Sequence, residues 1–338
     1  MAGAERALLV CAGGGIGDSL LATLVARALR ARYSSVDAIT LPAHRALLER
    51  VPDVDRVFVD GGETTSDVAA TLRGERFSAA VVTWATPRTA EIPRLAGIPI
   101  RVGQGRRFYS YKFTHRVRVR SESGDVVSHW SQILLDYARA IDCDTTDTRP
   151  AVRPTACDER EAENILGRLR LRDRGFCIVH ATNALAPQRN WPTSGWASLV
   201  TQIRTRFELP VLLSGTVADV PIADAIAAQS GGISIANAAS LGAFMSLARR
   251  AHFFAGITTG SMHLAAAVGA PTVGIFPFQT DTPERWAPLG PRTAVVRATF
   301  PCRPGERKET CPDYACVASL DVPRVLAAIE SLTPLDPR

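Results

Sequence analysis

The stretch that most constrains the fold runs from His252 to Phe276, HFFAGITTGSMHLAAAVGAPTVGIF. A short apolar strand leads into a turn rich in hydroxyl groups, and the residues that follow predict a helix over Met262–Val268 and a β-branched strand over Thr272–Phe276. Apolar strands separated by helices are typical of parallel sheets that are buried on both faces. The chain is therefore expected to contain a Rossmann-like α/β unit.

The turn before this helix is a candidate anion-binding site. The first amides of a helix have no partner within the helix and carry a partial positive charge, which suits a phosphate group. Thr259 and Ser261 would add hydroxyl groups, His263 an imidazole ring and Gly260 a permissive backbone. A capped helix with a histidine facing the core would have the same sequence, so both interpretations stay open here.

Composition limits the classes of protein to consider. The 338 residues are 46% hydrophobic and 21% charged, as in a globular protein with room for two cores. The net charge of +6 favours an anionic partner without distinguishing nucleic acid, phospholipid and phosphorylated glycan. Seven cysteines, most of them isolated, indicate reduced thiols and a cytoplasmic protein. No apolar run approaches the ~20 residues of a membrane span, and Ala7–Ala12 is too short for a signal-peptide core.

A glycine-rich turn follows the first predicted strand, Arg6–Cys11. The run from Gly13 to Asp18, GGGIGD, lacks the glycine spacing of a dinucleotide-binding turn, and no Gly-Lys-Ser/Thr follows, which excludes a P-loop. A carboxylate therefore stands at the start of a helix, at the edge where open α/β sheets bind ligands. From these residues alone, an N-cap or first-turn acid is the commoner explanation of Asp18.

The stretch Arg101–Arg120 is basic, contains no acid and includes interleaved aromatic residues. We expect Arg106, Arg107 and Lys112 to bind an anionic ligand, whereas the arginines of 116–120 alternate with valines as on the exposed face of a strand. Basic and aromatic residues together could also stack nucleic-acid bases. No RNA-binding signature accompanies them, so nucleic acid is not an expected partner.

Predicted strands and helices alternate in both halves of the chain, which favours parallel sheets wound on both faces. The segment Asp142–Asp158 is rich in Asp, Pro and Thr and has the composition of a linker. We therefore expect an N-terminal domain over residues 1–150 and a C-terminal domain over residues 151–338.

Further polar turns follow predicted strands in the second half. Thr182 and Asn183 follow the strand of residues 176–180, and Ser214 and Gly215 follow the strand of residues 210–213. Arg189 precedes a Trp-Pro pair, where its guanidinium could donate two hydrogen bonds to a diphosphate, although a solvent-facing arginine is the alternative. Repeated polar turns after strands suggest a nucleotide-binding edge.

Three cysteines near the end of the chain, Cys302, Cys311 and Cys316, raise the question of a metal site. Structural zinc sites normally have four ligands, and no histidine follows His263 to complete a set. We therefore expect no metal.

Several segments stand along nearly the whole chain in a characteristic order: GGIGDSLLATLVARALR, LLERVPDVDRVFV, SHWSQILLDYARAI, RNWPTSGWASLV, SMHLAAAVGAPTVGIF and the cysteine-bearing tail. In this order the chain resembles glycosyltransferase family 9, the ADP-heptose:lipopolysaccharide heptosyltransferases. The resemblance implies a GT-B fold of two facing Rossmann-like domains with parallel sheets. The first would bind the acceptor, and the second, with its C-terminal helix, the nucleotide-sugar donor.

The resemblance also implies an activity, namely inverting transfer of a heptose from ADP-heptose to a hydroxyl group of an anionic glycan such as the lipopolysaccharide inner core. Neither a metal nor another cofactor is implied. The expected location is the cytoplasm, with peripheral contact to the inner face of the inner membrane. Another donor sugar or acceptor (a different glycan or a secondary metabolite), or an inactive sugar-nucleotide-binding protein, stays open.

Roles carry over by position. The family's general base falls on Asp18, and the basic residue that contacts the donor phosphates, usually lysine, falls on Arg189. The turn residues Gly15, Ile16 and Gly17 would border the acceptor.

The segment from Gly260 to His263 would border the donor diphosphate, together with the neighbouring Thr259. The family usually has an aspartate near the transferred sugar where this chain has Thr258, so the resemblance leaves the donor sugar undetermined.

Overall fold

The computed structural model describes residues 5–182, 190–278, 281–301, 311 and 314–333. The chain divides into two compact units, Met1–Arg153 and Pro154–Arg338. Each unit contains a six-stranded sheet in which all paired strands are parallel. The predicted α/β class is confirmed, whereas the functional assignment of the two units stays a prediction.

The first unit alternates strands and helices as the sequence predicts. Its sheet has the order β3-β2-β1-β4-β5-β6. The strands are β1 (Arg6–Val10), β2 (Ser35–Thr40), β3 (Val57–Val59), β4 (Ala79–Val82), β5 (Ile100–Gln104) and β6 (His115–Val117). The helices are α1 (Ile16–Leu29), α2 (Arg45–Leu48), α3 (Thr65–Arg73), α4 (Pro87–Leu95) and α5 (Trp130–Arg139).

The second unit has the sheet order β12-β11-β10-β7-β8-β9. Its strands are β7 (Cys177–His180), β8 (Val211–Leu213), β9 (Ile233–Ser234), β10 (Phe254–Ile257), β11 (Thr272–Phe276) and β12 (Thr293–Arg297). Its helices are α6 (Ala156–Leu169), α7 (Thr193–Phe207), α8 (Val220–Ser230), α9 (Leu241–Arg250), α10 (Gly260–Ala267), α11 (Pro283–Trp286) and α12 (Val322–Leu332).

Each unit has its own hydrophobic core, because its sheet is apolar on both faces and covered by helices. In the first unit the buried strand residues Leu8 and Val82 pack with Ile92 of α4. In the second, Val179 and Val273 pack with Leu326 of α12. The last helix therefore belongs to the hydrophobic core of the second unit.

The strand predicted over the arginines of 116–120 is wrong beyond Val117, where β6 ends. Arg120 instead begins a 3-10 turn, and its guanidinium donates to the Asp136 carboxylate of α5 at 2.6 Å. The guanidinium of Arg118 donates to the Ser123 hydroxyl at 2.8 Å. Exposed arginines and buried valines still alternate through Val119, but beyond Val117 these local polar contacts replace strand pairing.

Candidate active site

The first sheet has a topological switch point between β1 and β4. From β1 the order runs through β2 to β3, and from β4 it runs the opposite way through β5 to β6. Open α/β sheets bind ligands beyond the carboxyl ends of the two strands at such a point. Val10 of β1 pairs with Val82 of β4, so the turns that follow these two residues lie side by side.

Asp18 lies in the turn after β1, as predicted, in the first turn of α1. Its half-buried carboxylate accepts a hydrogen bond from the Gly15 amide at 2.8 Å. Burial raises the pKa of Asp18. The Gly15 hydrogen bond and the His44 ring oppose this in part, and the net pKa is above its ordinary value. A carboxylate of raised pKa at a ligand-binding edge is suited to general-base chemistry.

The glycine turn itself leaves its backbone accessible. Gly14 has a left-handed φ of +70°, a conformation that favours glycine. Gly15 is exposed, and Ile16 and Gly17 are half-buried. These positions allow a ligand to approach the start of α1, and the acceptor role of the turn residues stays a prediction.

His44 lies close to Asp18, and the sequence analysis did not single it out. It is buried, follows β2, and its Nδ1 lies 2.9 Å from the hydroxyl of Ser19, the residue next to Asp18. Burial lowers the pKa of His44, and the Asp18 carboxylate opposes this. The available signal was a histidine shortly after the largely apolar run of residues 36–41.

A small, open recess adjoins Asp18, and its volume of about 10 Å³ is roughly that needed for one water molecule. Besides Asp18 and Ser19 it is lined by Trp84 from the turn after β4 and by Trp130 at the start of α5. Trp84 is 39% exposed, which is unusual for a side chain of its size and apolar character. The sequence analysis missed this aromatic wall as well.

The three cations predicted to bind an anion lie beyond β5 and differ in their surroundings. Lys112 pairs with Glu91 of α4 at 2.7 Å. The Arg94 guanidinium, assisted by Lys112, lowers the pKa of Glu91 to about 2. Arg107 pairs with Glu122 at 2.5 Å. Arg106 is exposed, and among the residues that the structure describes it has no carboxylate partner. Of these three side chains, only Arg106 carries a charge that no carboxylate of the described residues compensates.

The second sheet has its switch point between β7 and β10. Thr182 follows β7, Ser214 and Gly215 follow β8, and the segment Thr258–Ser261 follows β10. Because β8, β7 and β10 are consecutive neighbours, these predicted donor-site residues share one edge of the sheet. Asn183 and Arg189 lie outside the described residues.

The start of α10 forms the polar part of this edge. The helix begins at Gly260, with Thr259 as its N-cap residue, and the hydroxyl groups of Thr259 and Ser261 lie 2.7 Å apart. Thr258 is held by a hydrogen bond from its amide to the Ile275 carbonyl at 3.1 Å. The segment Thr258–Ser261 is half-buried, so its amides and hydroxyl groups remain within reach of a ligand, whereas His263 is buried.

A buried polar cluster lies behind the turn after β8. The Ser214 hydroxyl lies 3.1 Å from Nδ1 of His180, and burial lowers the pKa of His180. Asp219 accepts hydrogen bonds from the amide and the hydroxyl of Thr216, each at 2.7 Å. Burial would raise the pKa of Asp219, but polar contacts from Thr182 and Thr216 outweigh it and lower the pKa. His180 and Asp219 were not predicted.

Residues 66–315 match the family model for glycosyltransferase family 9 (heptosyltransferase). The chain belongs to this family. It is a glycosyltransferase, as the resemblance implied.

Solved structures of family 9 proteins share the fold of this glycosyltransferase. Escherichia coli ADP-heptose lipopolysaccharide heptosyltransferase II is 21% identical, with a TM-score of 0.79 over 97% of this chain and 98% of that one. A family 9 glycosyltransferase from Veillonella parvula is 16% identical, with a TM-score of 0.84 over 97% of each chain. The E. coli heptosyltransferase WaaC with ADP is 16% identical, with a TM-score of 0.72 over 97% of this chain and 99% of that one.

These likenesses confirm the GT-B class, with two Rossmann-like units that each contain a parallel sheet. No curated protein matches the sequence significantly.

Two observations concern metals and membranes. Among the described residues of this family 9 glycosyltransferase, no group of three or more His, Cys, Asp or Glu side chains is arranged to hold a metal ion. Cys302 lies outside the described residues, Cys311 is half-buried and Cys316 is buried. Within the part of the chain that the structure covers, no helix combines the length and the hydropathy needed to cross a bilayer.

Proposed function

We propose that this glycosyltransferase moves a heptose from ADP-heptose to a hydroxyl group of an anionic glycan such as the lipopolysaccharide inner core. Transfer would invert the anomeric configuration and need no metal ion. The observation that carries the proposal is the half-buried Asp18 carboxylate with its raised pKa at the switch point of the first sheet. Structures of the same fold include one titled ADP-heptose lipopolysaccharide heptosyltransferase II and one of WaaC with ADP, which supports the choice of donor.

In the proposed reaction, Asp18 accepts the proton of the acceptor hydroxyl as its oxygen attacks the anomeric carbon. The attack comes from the face opposite ADP, the bond to the diphosphate breaks, and ADP leaves with the electron pair. A positioned base contributes about 10²–10⁴ to such a rate. The Gly15 amide, which donates to Asp18 at 2.8 Å, would keep the carboxylate oriented.

The donor diphosphate would lie against the first turn of α10. There the helix amides and the hydroxyl groups of Thr259 and Ser261 can stabilise the charge that develops on the leaving group. Thr182, Ser214 and Gly215 would line the neighbouring edge, and the proposal assigns Asn183 and Arg189 to the same donor site by position in the sequence.

The acceptor is proposed to be anionic because Arg106 offers an exposed charge beyond β5. The same loop exposes Phe108 by 82% and Tyr111 by 68%. Exposed aromatic side chains beside arginine suit an interface with anionic lipid headgroups. We therefore propose a cytoplasmic enzyme that touches the inner face of the inner membrane through residues 106–111.

Thr258 supports a second candidate, a different ADP-sugar donor. Its neutral hydroxyl stands at the position where the resemblance leads one to expect a carboxylate near the transferred sugar. A donor that does not need that carboxylate would then be preferred. Thr258→Asp should shift the preference back toward ADP-heptose.

The test is a transfer assay with purified enzyme, a deacylated inner-core oligosaccharide and a panel of ADP-, GDP-, UDP- and CDP-sugars, with and without EDTA. We expect turnover with ADP-heptose that EDTA leaves unchanged, and NMR should show an inverted anomeric centre in the product. Turnover with another ADP-sugar alone would favour the second candidate. Retention of configuration, or a requirement for divalent metal, would contradict the proposed mechanism.

A further inference from the structure

Trp84 has a position that the family membership and the proposed roles leave unexplained. It lies two residues beyond Val82, on the β4 side of the switch point, while Asp18 lies in the turn on the β1 side. Both side chains line the same recess. The aromatic ring and the proposed base therefore lie beside each other at the mouth of one recess.

The indole of Trp84 packs directly on the glycine turn. A Cβ built at Gly13 would lie 2.0 Å from Cδ1 of Trp84, and one built at Gly14 would lie 3.0 Å from Cε3. The ring therefore packs against one side of this backbone, while Gly14 remains exposed. Because neither position carries a side chain, the ring can approach the turn that orients Asp18 this closely.

The backbone of Trp84 is fixed as well. Its carbonyl oxygen accepts a hydrogen bond from the Thr89 hydroxyl at 2.8 Å. The Thr89 amide in turn donates to the hydroxyl of Thr86, which caps α4. An aromatic side chain held in this way loses little conformational entropy when a ligand packs against it.

A stabilising role within the core alone does not explain the exposure of Trp84. The tryptophans of the second unit that pack into its core, Trp191 and Trp196, are 6% and 0% exposed, against 39% for Trp84. Sugar rings present C–H groups with partial positive charge on one face, and the face of an aromatic ring is negative, so the two stack. Binding sites commonly combine such an apolar wall with a few polar groups, here the Asp18 carboxylate.

We propose that Trp84 is the stacking surface for the acceptor sugar ring that carries the attacked hydroxyl, and that it thereby determines acceptor specificity. The inference rests on the proposed function, because it takes Asp18 as the base that meets this hydroxyl. Trp84 acts as a positioning residue. It orients the ring so that one hydroxyl faces the carboxylate.

Three variants separate stacking from packing. Trp84→Phe keeps a flat ring, Trp84→Leu keeps apolar volume without a ring, and Phe300→Leu removes an aromatic side chain that is 52% exposed in the second unit. For Trp84→Leu we expect the acceptor KM to rise about twofold to tenfold, the range of one aromatic contact, and kcat to fall as well. The donor KM should stay unchanged. Trp84→Phe should retain most activity, and Phe300→Leu should match the wild type.

A binding measurement keeps this test independent of turnover. Deacylated inner-core oligosaccharide should change the tryptophan emission of an Asp18→Asn variant. The change should be smaller in the Asp18→Asn/Trp84→Phe double variant, where Trp130 is the remaining tryptophan of the recess. An emission change in the Asp18→Asn variant together with no sugar transfer by the wild-type enzyme would refute the proposed function and leave Trp84 as a sugar-binding residue. Normal transfer with an unchanged acceptor KM in Trp84→Leu, or an emission change of undiminished size in the double variant, would overturn the inference about Trp84.

Discussion

The amide of Gly15 donates a hydrogen bond to the carboxylate of Asp18 at 2.8 Å, so the proposed base also closes the first turn of its own helix. Asparagine can accept the same bond but cannot take a proton from a hydroxyl. We expect Asp18→Asn to lower kcat about 10²–10⁴-fold while nucleotide binding is retained. Single-turnover kinetics and ADP titration would measure the two effects, and wild-type turnover in this variant would remove Asp18 from the base role.

The same substitution should separate stability from activity. Because folding raises the pKa of Asp18, ionising this carboxylate costs stability, and the cost appears as pH rises from the unfolded pKa through the folded pKa. Asp18→Asn removes the cost. We expect its Tm to equal that of the wild type near the ordinary aspartate pKa of 3.8 and to exceed it by about 1–3 °C at neutral pH. A lower Tm at neutral pH would contradict the assigned direction of the shift.

The pH dependence of transfer offers a second check on Asp18. A base acts in its ionised form, so activity is lost as pH falls through its pKa. The raised pKa predicts that the acid limb of kcat/KM lies above the ordinary value of 3.8. Rapid assays in buffers of matched ionic strength would define the limb, and the residual activity of Asp18→Asn should not contain it.

His180 should contribute to acid sensitivity. Burial beside Ser214 lowers its pKa below the ordinary 6.5, so its stabilising contribution is complete above pH 6.5 and is lost as pH falls through the lowered pKa. We expect the Tm of His180→Gln to change less between pH 7 and pH 5 than that of the wild type. His115→Gln, at an exposed position, is the matched control and should keep the wild-type slope.

Arg106 and Lys112 should respond differently to substitution. Arg106→Ala removes an exposed charge and should raise the KM of a phosphorylated acceptor about twofold to fivefold without a change in Tm. Lys112→Ala breaks the pair with Glu91 and should lower Tm. Arg73→Ala removes another exposed arginine of the same unit and controls for net charge. An equal acceptor KM in the Arg106 and Arg73 variants would exclude Arg106 from the acceptor site.

Membrane contact can be measured with vesicles. We expect the enzyme to sediment with vesicles that contain phosphatidylglycerol and not with pure phosphatidylcholine, and salt should weaken the association. Phe108→Ser and Tyr111→Ser should reduce it, whereas Phe300→Ser, at another exposed aromatic, should not. Association that ignores lipid charge or these two side chains would refute the proposed surface.

Much of the fold follows from local pattern. The strand Thr272–Phe276 has the predicted bounds, because a β-branched apolar run between a glycine turn and a polar loop has few alternatives. The placement of polar turns at the carboxyl ends of strands was predictable for the same reason. In a parallel sheet, residues that follow different strands reach one edge.

Other features depend on contacts distant in sequence. The strand β5 lies inside the basic stretch and was missed, because the charge of Arg101 interrupts its apolar pattern. The Arg101 guanidinium donates hydrogen bonds to the carbonyl oxygens of Ile98 and Lys112, which offset the cost of its partial burial. Two further contacts, Lys112 with Glu91 and Trp84 with Gly13, likewise depend on the order of strands in the folded sheet. A local sequence pattern does not reveal that order.

The contact between Trp84 and Gly13 links two positions that are far apart in the chain. With a methyl group only 2.0 Å from the indole, alanine at Gly13 cannot coexist with the ring in its present position. A smaller residue in place of Trp84 would remove that restriction, so substitutions at the two positions should be correlated. Among descendants of this sequence, loss of the glycine should be found only where the tryptophan has already been lost.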